Sequence, residues 1–171
     1  MRTRPDVISN DLVFQRILNC TDHFSKFSWA FALQNKSAAE VAKCLRGLFS
    51  VFGSPRLLHS DNGREFVASV IDELKVLLPG MCFMRGRPRH PQSQGYVERA
   101  NGVLTVAFGK WMSDEGSNHW SDGLLLVVYE INTRVSSATK LTPYEVMYAQ
   151  KLRCDQKFWK LVKENGIIDE E

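Results

Sequence analysis

The sequence contains no apolar run approaching 18 residues, so no membrane-spanning helix is expected. It has no C-x-x-C pair. Its four cysteines, Cys20, Cys44, Cys82 and Cys154, stand far apart, which argues against a zinc knuckle or a dithiol redox centre. Their apolar neighbourhoods predict buried thiols in a reducing compartment. No apolar stretch follows the charged opening Met1-Arg2-Thr3-Arg4-Pro5, so no signal peptide is expected and the chain reads as intracellular. Repeats and low-complexity segments are absent, and a surplus of one charge is small: 22 Lys and Arg against 19 Asp and Glu, net +3. What is present is enough for one core, since 44% of 171 residues are apolar.

The periodicity predicts strands at 12–21 and at 26–33, joined by the short turn Asp22-His23-Phe24-Ser25 into an antiparallel pair. Ser37 is placed to cap a helix, with Glu40 completing a capping box. Val41, Leu45, Leu48 and Phe52 follow at helical spacing, and Gly53-Ser54-Pro55 ends that run. A brief strand is expected at 56–59, with Leu57 and Leu58 buried, then a helix at 67–78 and a strand at 81–84. Residues 85–95, with two Pro, two Gly and no large apolar side chain, read as an exposed loop. The strongest helix spans 96–112, with Val97, Ala100, Leu104, Ala107, Phe108 and Trp111 on one stripe. Further helices are expected at 120–132 and from Thr142-Pro143, where Thr caps and Pro takes the first helical position. This order predicts an α/β domain with one mixed sheet over 1–152 and a polar tail at 153–171.

Two acids invite a chemical reading. Asp61 follows a short apolar strand, and Glu98 sits one turn into the strong helix. Carboxylates placed so can converge on one hard divalent cation, Mg²⁺ or Mn²⁺, which suits phosphodiester chemistry. For two acids taken alone, solvated surface groups are the commoner case. Arg85, Arg87, Arg89 and His90 cluster ahead of Glu98 and suit DNA phosphates, and Gln92, Ser93 and Gln94 suit phosphate or base edges. Asn101 shares a helix face with Glu98, and Arg64 stands beside Asp61.

The surrounding words change the weight of these residues. His59-Ser60-Asp61-Asn62-Gly63-Arg64-Glu65-Phe66 resembles the H-S-D-N-G-x-E-F signature of retroviral and retrotransposon integrases. Pro88 to Asn101 resembles their P-x-x-P-x-x-x-G-x-x-E-x-x-N segment, and 36 residues separate Asp61 from Glu98, close to that family's spacing. Asp22-His23-Phe24-Ser25-Lys26 is similar to the D-x-x-S-K hairpin, and Phe52-Gly53-Ser54-Pro55 to F-G-x-P. Residues 132–152 match the closing N-x-x-x-x-x-x-T-x-x-x-P-x-E-x-x-Y/F-G, with Ala149 in the glycine's place. The resemblance implies an RNase H-like, five-stranded mixed sheet flanked by helices, and a DDE-type polynucleotidyl transferase that joins DNA strands with metal held by Asp61, Glu98 and a third acid.

That third acid belongs on a central first strand, for which no counterpart is expected ahead of Asp22. Residues 1–11 read as a loop, and the substitutes Asp6 and Asp11 both read as turns. The resemblance leaves two functions open: a weakly metal-binding strand-transfer core, or a domesticated, inactive module that binds DNA or a protein partner. It further implies DNA as partner, a homodimer or higher oligomer, a nuclear or cytoplasmic place, and no small-molecule substrate. Asp22 is expected to be structural, and His59 is not expected to bind metal.

Overall fold

The computed structural model describes residues 2–8, 12–55, 57–58, 60, 64–79, 91–115, 119–137 and 139–152, with backbone alone at 2–8, 12, 64–66 and 91–94. Among these residues the elements run β1 (Arg2–Ile8), β2 (Leu12–Thr21), β3 (Ser28–Leu33), α1 (Ala38–Phe52), α2 (Arg64–Leu77), α3 (Pro91–Glu115), α4 (Trp120–Thr133) and α5 (Pro143–Tyr148).

The described sheet is antiparallel, in the order β1-β2-β3. β2 and β3 pair from Arg16↔Leu33 to Thr21↔Ser28. The two-residue period of a strand then sorts their side chains. Leu18, Cys20, Phe31 and Leu33 join Val41, Leu45, Phe49, Val70 and Leu74 of α1 and α2 in one apolar cluster. Ile17, Ala30 and Ala32 join Leu104, Phe108, Trp120, Leu124 and Val127 of α3 and α4 in the other. The sheet is thus covered by helices on both faces. Complete burial of side chains such as Leu74 and Leu104 contributes about 1.5–3 kcal/mol each.

β1 corrects an expectation: residues 2–8 form a strand and not a loop. Their register, Ile8↔Leu12, Val7↔Val13 and Asp6↔Phe14, shifts before Arg2↔Arg16. Pro5 falls within that irregularity, where the ladder does not need the N–H that proline lacks.

Other boundaries moved for local reasons. Residues 91–95, expected in a loop, form the first turns of α3. Pro91 is the first helical residue, a position that asks no N–H of it. The helix at 67–78 begins earlier, at Arg64. In the stretch expected as a strand at 56–59, Leu58 makes an isolated bridge, and Leu57 is exposed instead of buried. Arg56, His59 and the strand expected at 81–84 lie outside the described residues, as does the tail at 153–171.

Two of the predicted caps are present in full or in part. The Ser37 hydroxyl accepts from the Glu40 N–H at 3.2 Å, but the Glu40 carboxylate turns to the N–H groups of Gln34 and Asn35, at 2.8 and 2.9 Å. It therefore ties β3's exit to α1 instead of closing the box. At α5 the box is complete: Thr142 Oγ1 accepts from Glu145 N–H and Glu145 Oε2 accepts from Thr142 N–H. Ala149 ends α5 at φ 53, the left-handed conformation that costs a non-glycine residue on the order of 1 kcal/mol. Phe52, expected on α1's inner face, is partly exposed and packs its ring 5.0 Å from Trp29.

Candidate nucleic-acid interface

The β2–β3 hairpin is organised by one carboxylate. Asp22 Oδ2 accepts from Phe24 N–H at 3.1 Å, from Ser25 N–H at 2.7 Å and from the Ser25 hydroxyl at 2.7 Å. Its backbone closes the turn as well, donating to Phe27 O and accepting from Lys26 N–H. Burial pushes the Asp22 carboxyl up, but the Ser25 and Phe24 donors outweigh it and hold it below the ordinary carboxylate range. Asp22 is therefore committed to the turn, as expected from the sequence. A group depressed on folding stabilises above its unfolded value, near 3.9, and that contribution is lost as pH falls through the lower folded value. Acid titration of the fold, followed by circular dichroism, should show this loss below about pH 4, and Asp22→Asn should flatten that limb.

α4 grips the same hairpin. Asn132 is buried, and its Oδ1 accepts from Ser28 N–H at 2.8 Å while its Nδ2 donates to Ser28 O at 2.9 Å. One amide side chain thereby acts as a further strand residue along β3. This explains why the closing segment of the sequence starts on an asparagine.

α3 meets β2 through a second amide. Asn19 Nδ2 donates to Asn101 Oδ1 at 3.2 Å, and the Asn19 Oδ1 is buried with no partner among the described residues. One turn earlier, Tyr96 lies against the hairpin corner. The His23 ring sits 4.3 Å from the Tyr96 ring, and Lys26 Nζ lies 4.0 Å above it while donating to His23 O. Lys26 adopts φ 64. A non-glycine residue held there costs on the order of 1 kcal/mol or more, so the surroundings must impose it. Burial lowers the Lys26 ammonium, Asp22 raises it, and Arg99 lowers it again; the net direction is down.

Of the residues singled out in the sequence, Glu98 is exposed on α3 and Asn101 is half-buried beside it, one turn apart on one face. Gln92 and Gln94 lie in α3's first turns, and Arg64 opens α2. Asp61, Arg85, Arg87, Arg89, His90 and Asp11 lie outside the described residues. Sequence reasoning missed Asn19, His23, Lys26 and Tyr96 as parts of this region. Tyr96, two residues before Glu98 within the matched segment, was the available signal.

One candidate substitute for the third acid, Asp6, lies on β1. Asp6 stands opposite Phe14, five residues along β2 from Asn19. At about 3.4 Å per residue that is roughly 17 Å from the level at which Asn101 meets the strand. Among the described residues no group of three or more His, Cys, Asp or Glu could hold a metal ion.

β2 borders a cavity of about 920 Å³. Leu18, Cys20, Leu45, Phe49, Val70 and Val97 line it, with Asn19 and Asn101 as polar spots. Burial, and then the neighbouring Cys44, pushes the Cys20 thiol up to about 12, so it is an unreactive, protonated group. No helix among the described residues is long and apolar enough to cross a membrane.

Comparison with known proteins agrees with this architecture. The integrase core domain pattern matches residues 7–78. Human KRAB-A domain-containing protein 2 is 33% identical over 145 residues, which is 85% of this chain and 30% of that protein. The Gag-Pol polyprotein of feline leukemia virus is 32% identical over 136 residues, covering 79% of this chain and 8% of the polyprotein. This chain thus spans less than a third of those relatives' length. The crystal structure of the catalytic core domain of BIV integrase superposes with a TM-score of 0.61 at 29% identity, covering 82% of this chain and 88% of that one.

Proposed function

We propose that this chain, which belongs to the integrase core family, is a DNA-handling module that works through the end of the sheet where α3 meets the β2–β3 hairpin. The observation that carries this reading is α3 itself. Its first turns continue from the Arg85–His90 cluster and hold Glu98 exposed, one turn from the Asn19–Asn101 contact. A duplex lying there would meet Arg85, Arg87, Arg89 and His90 through its phosphates, with Gln92, Gln94, Asn101 and Arg64 alongside. We take residues 1–152 as the core-like unit.

In this reading Asp61 and Glu98 are two ligands of a divalent-metal site. Support comes from their spacing, and from the HTLV-2 integrase core, whose structure was determined in complex with magnesium. When bound, such a metal activates a hydroxyl nucleophile and stabilises the leaving oxygen. The described residues contribute one of these carboxylates, Glu98, and do not by themselves make the site.

A second reading is a non-catalytic module that binds DNA. The similarity to KRAB-A domain-containing protein 2 fits a host-adopted copy. A strand-transfer assay with Mg²⁺ separates the two. If the chain is an enzyme, Asp61→Asn and Glu98→Gln each reduce joining by at least about a hundredfold, on the order expected when a transition-state charge loses its stabiliser. If it is a binding module, the unaltered chain joins nothing yet holds duplex DNA with a steep salt dependence. Absence of both joining and DNA binding overturns the proposal. A homodimer or higher oligomer is part of the same reading. The HTLV-2 core structures include a dimeric and a trimeric form, and Leu125, Leu126 and Tyr129 leave an apolar strip exposed on α4.

A further inference from the structure

The hairpin corner holds cations that lie outside the Arg85–His90 segment of the sequence. Lys26 occupies a left-handed position, φ 64, where glycine or asparagine is the easier choice. Its backbone is set by the Asp22–Ser25 network, and its ammonium is carried over the face of Tyr96, 4.0 Å from the ring centre. Tyr96 and Arg99 are one turn apart on α3, so Arg99 projects from the same helix face as the ring. His23 packs against that ring too, with its centre 4.3 Å away, and is exposed. Lys26 is thus held on an aromatic platform, and Arg99 stands close enough for its charge to lower the Lys26 ammonium.

Among the described residues neither cation forms an ion pair. Among the described residues the ion pair formed is Lys75–Asp72, on α2. Asp22, an acid whose charge acts on Lys26, has three donors already on one oxygen. Glu98 is adjacent in sequence to Arg99 but forms no ion pair with either cation among the described residues. Bringing like charges together without a counterion is unfavourable unless an anion arrives to relieve it.

We propose that Lys26, held over the Tyr96 ring, and Arg99, one turn along α3 from that ring, form a phosphate-binding corner that seats the backbone of the DNA strand passing Glu98. The inference rests on the DNA-handling reading and names residues outside the Arg85–His90 cluster. Its consequence is geometric: the corner would hold one phosphate while the strand runs along α3 past Glu98. Lys26 and Arg99 position the DNA and are not assigned any part in bond making.

The test is the affinity of the full chain for a short fluorescein-labelled duplex, measured by anisotropy across a range of NaCl concentrations. The slope of log K against log salt falls by about 0.9 for each phosphate that the protein no longer neutralises. Lys26→Asn removes the charge while suiting the left-handed backbone, and Arg99→Gln alters an exposed helical residue. With one phosphate shared between them, each substitution is expected to reduce the slope and the pair to reduce it by about 0.9. Lys43→Gln, an exposed lysine on α1, serves as the charge-matched control and is expected to leave the slope unchanged. An unchanged slope in Arg99→Gln and in the double variant, or an equal fall in the control, overturns the corner while leaving the DNA-handling reading intact. Should Lys26→Asn melt early, Arg99→Gln alone decides. No salt-dependent binding by the unaltered chain overturns both.

Discussion

Replacing Asn132 by alanine is expected to destabilise the fold by about 2–5 kcal/mol. The side chain makes two buried hydrogen bonds to the backbone of Ser28, at 2.8 and 2.9 Å, and both Ser28 groups lose their partner in the variant. An unsatisfied buried group costs about 1–3 kcal/mol, far more than the net gain from an ordinary hydrogen bond. Ser28 and Asn132 are 8% and 5% exposed, so water has little access to replace the amide. Asn132→Asp should fall between, because it keeps the acceptor for Ser28 N–H but presents an oxygen to Ser28 O. Urea unfolding at neutral pH measures this through the midpoint, with the slope unchanged. A loss under about 0.5 kcal/mol, the range of an ordinary surface change, would contradict the clamp.

The second large effect is steric. Gly123 lies on α4 where α3 crosses it, and a Cβ there would stand 2.4 Å from Trp111 Cε3 and 2.5 Å from Cζ3. Helix propensity alone favours Gly123→Ala by about 1 kcal/mol. The overlap should reverse that sign, since overpacking a fitted interface costs about 1–3 kcal/mol and the indole is a rigid neighbour. The helices must move apart or the ring must turn, and either loosens the cluster around Leu104, Phe108 and Leu124. Trp111→Leu should relieve the clash, so the double variant should be less destabilised than the two single losses added together. Thermal denaturation of the four proteins gives this coupling. An additive result would show that the close approach carries no energy.

Much of the arrangement was legible in the sequence because local chemistry and tertiary packing agree. The hairpin followed from Asp22 to Ser25 between two apolar runs, and α5 from Thr142 and Pro143, which cap and open the helix as expected. α4 kept its predicted start at Trp120. Where expectation and structure part, longer-range contacts decided. Residues 2–8 carry Arg, Pro and Asp and look like a turn, yet pair with β2 because Val7 and Ile8 meet Val13 and Leu12. Pro91 and Gly95 suggested a loop, but a proline at the first helical position leaves the helix free to begin there. Leu57 was expected inside on hydrophobicity alone and is 49% exposed.

The candidate site was legible as motifs and not as contacts. Helical spacing put Glu98 and Asn101 on one face, and both lie within α3. The partner of Asn101, Asn19, sits 82 residues earlier, and no pattern within α3 specifies it. The Lys26–Tyr96–His23 packing likewise joins residues about seventy positions apart. Such contacts depend on how α3 lies across the sheet, a matter of the two apolar clusters and not of any local signature. Asp6 illustrates the converse. It read as a turn beside Pro5, and it pairs in a strand opposite Phe14.

Asp61 and Glu98 are proposed to share one divalent-cation site at the α3 end of the sheet, and the enzyme reading stands on that pairing. Electron paramagnetic resonance of Mn²⁺ titrated into the full chain tests it most directly, because free and bound ions give distinct signals without any need for catalysis. A bound population is expected that Asp61→Asn and Glu98→Gln each diminish severalfold, while the double variant is no worse than the weaker single. Mn²⁺ binding that survives both substitutions unchanged, or an unaltered chain that leaves all the metal free at millimolar concentration, would contradict it.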